Sequence, residues 1–379
     1  MSGLPRARGF DLRALLFSGD GWPWLLVPFI PLAIVLDLVN APAVAVFFTS
    51  AAGVIPTAAL MGRATEELTA RTGPGIGGLL NVTFGNAPEL IIALFALQKG
   101  LHEVVKASLA GSVISNVLLV MGASMFAGGI GRERQRFNRV AANTQSGMLL
   151  LAACALIMPA IFELVKGRGL PLPGAERVTY DSTVEHLSLF VAIVLICTYA
   201  AGLLFSLKTH RDLFNPPHEA EEAAREPWSV RRSIGALGIA GVAVAIMSEV
   251  LVGSISEAAS SIGLTEFFVG AIVVAIAGNA AEHWVAVVVA RRDKMDLSVN
   301  IAIGSSAQIA LFVAPLLVLL SFFIGPVPMP LVFNGFELGA FVLSVLIANH
   351  VTNEGESTWF EGVQLLAVYA VVALAFGFA

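Results

Sequence analysis

Residues 85–89 read Gly-Asn-Ala-Pro-Glu, and residues 278–282 read Gly-Asn-Ala-Ala-Glu. The two stretches lie 193 residues apart, and at the same offset Gly111-Ser112 recurs as Gly304-Ser305. No gap is needed between the matched blocks. Two polar clusters kept at one spacing, each inside a long apolar run, mark an internal duplication. A weaker likeness extends it upstream, Glu67 to Gly73 against Glu257 to Gly263, with three residues inserted before the second motif.

The apolar runs around these motifs dominate the chain. Of its 379 residues 57% are hydrophobic and only 13% charged, and the mean hydropathy is +0.83. Soluble domains carry about 25% charged residues, and a water-soluble fold could not hide so much apolar surface. A spanning helix needs about 20 apolar residues. The spans predicted are 24–40, 42–62, 75–98, 103–128, 143–164, 185–207, 232–253, 266–290, 297–323, 331–350 and 359–378. The second runs on as a helical extension through Arg63-Ala-Thr-Glu-Glu-Leu-Thr-Ala-Arg71. The expected fold is an all-α integral membrane protein of about eleven transmembrane helices, an extra N-terminal helix plus two five-helix repeats. Because five is odd, the second repeat enters the membrane from the opposite side, an inverted repeat of the kind many secondary transporters use. The expected divisions are 1–41 for the N-terminal segment and first helix, 42–207 and 231–379 for the repeats, and 208–230 for a polar linker. The linker contains His218-Glu-Ala-Glu-Glu-Ala-Ala-Arg-Glu226 and reads as a short acidic helix, either a solvated connector or a calcium-sensing element.

Charge placement orients the chain. With the N-terminus in the cytoplasm and the C-terminus outside, 17 of the 22 Lys and Arg fall on the cytoplasmic side, as the positive-inside rule requires. No basic run resembles a nucleic-acid footprint. Cys154 and Cys197 lie in apolar stretches and read as core-packing thiols rather than a disulfide or zinc site. The first apolar run carries Pro28 and Pro31 and no small-residue cleavage pattern, so it reads as a spanning helix rather than a signal peptide.

Glu89 and Glu282 lie inside spans that contain no Lys or Arg. A charge at the bilayer centre costs about 2.5–3.5 kcal/mol on insertion scales, so protons, a cation, or both in turn must neutralise these carboxylates. Asn86 and Asn279 each precede a glutamate by three residues and share its helix face. Gly85 and Pro88 weaken the first helix at this point and Gly278 the second, and a broken helix turns backbone carbonyls toward a cation. The next span of each repeat adds Ser112, Ser115 and Asn116, or Ser305, Ser306 and Gln308. The alternative for these hydroxyls and amides is interhelical hydrogen bonding. All are hard oxygen donors, suited to calcium, magnesium or manganese. His283 points about 100° away from Glu282 and reads either as a packing residue behind the site or as part of a proton path. Two carboxylates are neutralised by one calcium ion or by two protons, and the empty dianion is unfavourable in low dielectric. That arithmetic describes an obligate exchanger moving at least two protons per calcium.

At these residues the chain resembles the calcium/proton (cation/proton) exchanger family of the calcium/cation antiporter superfamily. The likeness rests on Gly85-Asn-Ala-Pro-Glu89 with Gly111-Ser-Val-Ile-Ser-Asn116, and on Gly278-Asn-Ala-Ala-Glu-His283 with Gly304-Ser-Ser-Ala-Gln-Ile309. Ala64-Thr-Glu-Glu-Leu68, Gly77-Gly-Leu-Leu-Asn-Val-Thr-Phe-Gly85 and Asn353-Glu-Gly-Glu-Ser-Thr-Trp-Phe-Glu-Gly362 are also similar to the family. The resemblance implies an eleven-helix antiporter that moves cytosolic calcium outward against protons. It implies Glu89 and Glu282 as central ligands, Asn86, Asn279, Ser112 and Ser305 lining the site, and Gly85 and Gly278 giving carbonyls. It implies gating by sliding of the second and seventh spans, and an acidic helix in the linker. No cofactor is expected beyond the transported ions. The partners expected are calcium, protons and the lipid bilayer, with a homo-oligomer left open. The Arg/Ala-rich composition and the short N-terminal segment fit a prokaryotic plasma membrane.

A sodium/calcium or manganese/proton exchanger of the same superfamily is the nearest rival. Against sodium stands Ile309, where the first repeat has Asn116. An enzyme is not expected, since neither a Gly-x-Ser-x-Gly elbow nor a His-Glu-x-x-His zinc motif occurs. A cation channel fits poorly with carboxylates that must be neutralised before they cross.

Overall fold

A computed structural model describes residues 21–174, 179–209 and 228–379. The arginines expected at the N-terminus and the acidic stretch of the linker lie outside these residues. The described chain is helical apart from one short ribbon. Eleven helical segments follow one another: α1 (Trp22–Leu38), α2 (Ala43–Thr72), α3 (Ala87–Gln98), α4 (His102–Gly129), α5 (Arg139–Val165), α6 (Ser182–Thr209), α7 (Val230–Ser261), α8 (Glu266–Arg291), α9 (Met295–Ser321), α10 (Gly335–Thr352) and α11 (Trp359–Phe378). Nine are long and apolar enough to span a bilayer, and α1 and α3 are shorter apolar helices. They match the eleven expected spans in order. The second carries its expected helical extension, to Thr72; the third, expected over 75–98, is reduced to Ala87–Gln98; and the tenth starts later, after the loop that holds Met329 to Asn334.

Local sequence sets most helix starts. Side chains of Asn138, Asp181, Ser229 and Thr265 accept from backbone N–H groups that begin α5, α6, α7 and α8, satisfying donors that a helix leaves unpaired. Asn334 with Glu337 and Thr358 with Glu361 form capping boxes at α10 and α11. After α2 the helical run continues to Phe84, yet the Thr69 hydroxyl donates to the Gly77 carbonyl at 3.2 Å. A straight helix would separate residues eight apart by about 12 Å, so the chain doubles back between them and leads into α3.

The packing is symmetric under exchange of the two repeats. Helix α2 packs along α7; α3 touches α7 as α8 touches α2; α4 touches α10 and α11 as α9 touches α5 and α6. Helices α5 and α10 pair with each other, while α1 leans on α2 and α7 outside this symmetry. Helix α4 is almost wholly enclosed and α9 mostly so, whereas α6, α7 and α11 turn most of their surface outward. Their outward residues are apolar, among them Phe190, Val194, Ile239, Val242 and Val371, as a lipid-facing surface requires. Cys154 and Cys197 belong to this outer surface: both are exposed, which corrects the expectation that they pack inside.

The loops gather at two faces. On the first, strands β1 (Gln135–Arg136) and β2 (Glu356–Ser357) pair antiparallel and tie the α4–α5 loop to the α10–α11 loop. On the same face Arg132 donates to the Arg291 carbonyl at 3.0 Å, and Gln135 to the Ala290 carbonyl at 2.9 Å. On the second face the Glu103 carboxylate accepts from the Gly174 N–H at 2.7 Å, and Lys106 donates to the Val332 carbonyl at 3.0 Å.

Helices α4 and α8 cross closely at Gly111. A Cβ there would lie 2.0 Å from the Ala271 carbonyl oxygen, so only glycine permits this approach. At the repeat-related Gly304 a Cβ would meet the ends of Asn300 and Gln145, at 3.2 and 3.5 Å. Those side-chain ends can swing aside, whereas a backbone carbonyl cannot. Gly111→Ala is therefore expected to destabilise the fold by about 1–3 kcal/mol or more, and Gly304→Ala by less. Thermal unfolding of the two variants in detergent, run side by side, checks the order.

Candidate cation site

The two repeated motifs meet where the inner helices cross. The helical run ending at Phe84 and α3 are separated by a turn at Gly85-Asn86, with Pro88 in the first turn of α3. The expected break is present in the first repeat. In the second it is not: α8 is continuous through Gly278 and Glu282, and its irregularity is a wide-turn stretch upstream, Val269–Val274. Proline explains the difference, because Pro88 removes an N–H and clashes with the preceding turn, while Ala281 at the equivalent place does neither. Glycine alone costs only about 1 kcal/mol in a helix. A second wide turn repeats faithfully. Ser115–Val120 in α4 and Ile309–Val313 in α9 both follow i→i+5 bonding, at matching positions of the two copies. Such turns cluster at functional sites.

Glu89 is buried, and its carboxylate packs against Gly278, with Oε1 3.6 Å from where a Cβ would stand. Gly278 thus makes room for the other repeat's glutamate. Glu282 accepts from the Ser305 hydroxyl at 3.2 Å, and it is the charged neighbour that acts on Glu89. Among the described residues neither carboxylate forms an ion pair with Lys or Arg. The amides join the two copies. Asn86 donates to Gln308 Oε1 at 2.6 Å, and Asn279 donates to the Ser112 hydroxyl at 3.2 Å and to the Ala275 carbonyl at 2.9 Å. His283 Nε2 lies 2.9 Å from Asn116 Oδ1, so the histidine braces an amide of the site rather than merely packing. Asn86, Ser112, Asn116 and Asn279 are all buried.

Two hydroxyls do not join. Ser115 donates to the Ser112 carbonyl at 3.1 Å and Ser306 to the Ala302 carbonyl at 2.8 Å, both within their own helices. Their place in a cage is not supported, because a serine in an apolar helix finds its own backbone as the nearest acceptor. One carboxylate was not anticipated as part of the site. Glu66, in the extension of α2, acts electrostatically on Glu282. The only sequence sign of it was its place in Ala64-Thr-Glu-Glu-Leu68.

Three oxygens of the repeated motifs are buried without a hydrogen-bond donor among the described residues: Asn86 Oδ1, Glu89 Oε2 and Asn279 Oδ1. Buried acceptors left this way are costly. Two carboxylates and several amide and hydroxyl oxygens, with no cationic side chain among them, suit a hard cation or protons.

Comparison with known proteins agrees with this chemistry. The family model described as sodium/calcium exchanger protein matches residues 42–208 and 232–378. A Ca(2+)/H(+) antiporter of Synechocystis sp. is 43% identical over 374 residues, covering 93% of this chain and 96% of that protein. The Ca(2+)/H(+) antiporter ChaA of Bacillus subtilis is 44% identical over 350 residues, covering 92% of this chain and 96% of its own. The solved structure of native YfkE matches with a TM-score of 0.78 at 39% identity, over 94% of this chain and 100% of that one.

The Asn86–Gln308 bond makes a stability prediction. Gln308→Leu strands the buried Asn86 amide, at a cost of about 1–3 kcal/mol. Adding Asn86→Leu removes the stranded group and is expected to restore part of the loss. Unfolding of the two single variants and the double variant gives the coupling; purely additive losses would mean that the two amides do not interact.

Proposed function

We propose, from the premise that this chain belongs to the sodium/calcium exchanger protein family, that it exports calcium from the cytosol in exchange for protons. The chain is a transporter and not an enzyme. The observation that carries the reading is the meeting of Glu89 and Glu282, one from each repeat, among neutral oxygen donors. The relatives' names supply the substrate pair: they are Ca(2+)/H(+) antiporters.

In this reading Glu89 and Glu282 bind calcium when ionised and release it when protonated. Asn86, Asn279, Ser112 and Ser305 line the same site and orient the carboxylates, with Gly85 and Gly278 contributing backbone and space. Gln308 and Asn116 hold the amides in register, and His283 fixes Asn116. The pair cannot cross empty, because two uncompensated carboxylates in low dielectric are costly. It crosses as the calcium complex or as two carboxylic acids, which couples the fluxes at two or more protons per calcium.

The repeats at 42–207 and 231–379 act as the two halves of an alternating-access carrier. The long pairing of α2 with α7 is the surface along which those halves slide. The first face, which carries Arg63, Arg71, Arg132, Arg134, Arg291 and Arg292, is cytoplasmic on the positive-inside rule. The membrane is then the plasma membrane of a prokaryote, with the N-terminus inside and the C-terminus outside.

Purified protein in proteoliposomes is expected to take up radiolabelled calcium when a pH gradient is imposed. A sodium gradient alone should drive none, and Glu89→Gln and Glu282→Gln should each abolish uptake. Sodium-driven uptake would instead assign the rival branch of the family, and manganese uptake without calcium uptake would change the cargo. Apparent calcium affinity should rise with pH, because two protons leave as one calcium enters. The limit is about 100-fold per pH unit while both carboxylates are protonated, flattening once both are ionised. A slope of about 10-fold or less throughout would mean that a single proton is coupled.

A further inference from the structure

At the first face a groove of about 550 Å³ opens between the end of α4 and the end of α8. Phe126, Ala127, Ile130, Gly131, Arg132 and Arg291 line it. Its chemistry is two-sided. Phe126 and Ile130 are large apolar side chains that are 37% and 59% exposed, which on a membrane protein is contact with acyl chains rather than water. The two guanidinium groups are cations at the mouth of that apolar surface.

The guanidinium of Arg132 is held rigidly. It donates to the Gly128 carbonyl and, at 3.0 Å, to the Arg291 carbonyl, and its Nε lies 3.6 Å from Asp293. Asp293 does not line the groove. A planar guanidinium has five N–H donors, and two are spent on those carbonyls, so others remain. The side chain of Arg291 has no hydrogen-bond or ion-pair partner among the described residues, although its backbone carbonyl does. A fixed cation and an unpaired one, side by side, are the donor pattern that takes a phosphate bidentately.

A second observation fixes the depth. Trp359 and Phe360 open α11 at this face, exposed by 47% and 54%, and their rings meet edge to face at 5.9 Å. The Trp359 backbone sits directly on Gly129, where a Cβ would lie 2.6 Å from its nitrogen. Exposed tryptophan with an aromatic neighbour at a helix end marks the head-group level of a bilayer. The groove lies one turn of α4 from that marker, at the height where lipid phosphates stand.

We propose that this groove is a binding site for one anionic phospholipid, its phosphate on Arg132 and Arg291 and an acyl chain along Phe126 and Ile130. Basic pockets between spanning helices are suited to such head groups. The bound lipid bridges α4, which carries Ser112 and Asn116, to α8, which carries Asn279 and Glu282.

The test is retention and thermal shift in mixed micelles containing dioleoylphosphatidylglycerol or dioleoylphosphatidylcholine. Native mass spectrometry is expected to show one tightly retained phosphatidylglycerol and no such retained phosphatidylcholine, and phosphatidylglycerol should raise the melting temperature. Arg291→Gln should weaken retention by about 10-fold or more, the loss of one charge-assisted contact. This variant removes no protein contact, so it should fold as the parent does. Arg132→Gln should also weaken retention, though it gives up the bonds to the Gly128 and Arg291 carbonyls, and Arg231→Gln, on the same face but outside the groove, should change nothing. Equal loss in Arg231→Gln would assign the effect to diffuse surface charge and overturn the site. Equal retention of both lipids would overturn the anionic preference. An equal thermal shift from inorganic phosphate alone would overturn the lipid as occupant.

Discussion

The structure depends on carrying two carboxylates inside apolar helices where, among the described residues, no lysine or arginine pairs with either of them. Several unusual features of the inner helices bear on that constraint. Gly278 removes a side chain where the Glu89 carboxylate packs, and the turn at Gly85-Asn86 interrupts the helix just before the glutamate. Ser305 lends a hydroxyl to Glu282, and wide turns at Ser115–Val120 and Ile309–Val313 shift the helices that face the pair. None of these supplies a positive charge. In the proposed function the carboxylates are solvated by dipoles and neutralised by the transported cations, which is the condition for a carrier that moves only when loaded.

The hydrogen bonds of the site run mostly between repeats rather than within them. Asn86 reaches Gln308, Asn279 reaches Ser112, and His283 reaches Asn116. The pattern is not symmetric. The mate of the Asn279–Ser112 bond would be Asn86 to Ser305, but Ser305 serves Glu282 and Asn86 goes one turn further to Gln308. Two copies of one sequence motif therefore sit in different local states, one with an interrupted helix and one with a continuous helix. The interruption is written into the sequence, since Pro88 in the first copy stands where the second has Ala281, so the two halves do not trade this local state.

Much of the architecture was legible because the bilayer imposes simple rules. A span must be about 20 apolar residues long, and that rule placed the eleven segments in order, although the third, expected over 75–98, is the short helix Ala87–Gln98. The duplication was readable because the glutamates have to recur to act as a pair. The failures have physical causes. The outward position of Cys154 and Cys197 was missed because the outside of this fold is as apolar as its inside, so hydropathy does not tell core from lipid. Ser115 and Ser306 were candidates with hydrogen bonding as the alternative, and each bonds its own backbone, a choice made by rotamers that no spacing rule captures. Glu66 was passed over because it lies past the end of an apolar run, and its neighbour Glu282 is 216 residues away in sequence, brought near by the packing of α2 against α8. A break at Gly278 was expected by symmetry, but the deciding residue was Pro88, which the second copy lacks.

The difference between Asn116 and Ile309 bears on the counter-ion. These residues stand at equivalent places in α4 and α9. Ile309 is buried and apolar, so the second copy offers no oxygen there. In the first copy Asn116 Oδ1 is engaged by His283. The Asn116 amide is thus turned to a histidine, its mate is a hydrocarbon, and the other unmatched amide, Gln308, is engaged by Asn86. A carrier that exchanges one divalent ion for several sodium ions needs separate oxygen cages for each of them. One that exchanges it for protons needs only the carboxylates themselves, since a proton is held by a single oxygen. The ligand count at this crossing of helices supports protons as the returning ions.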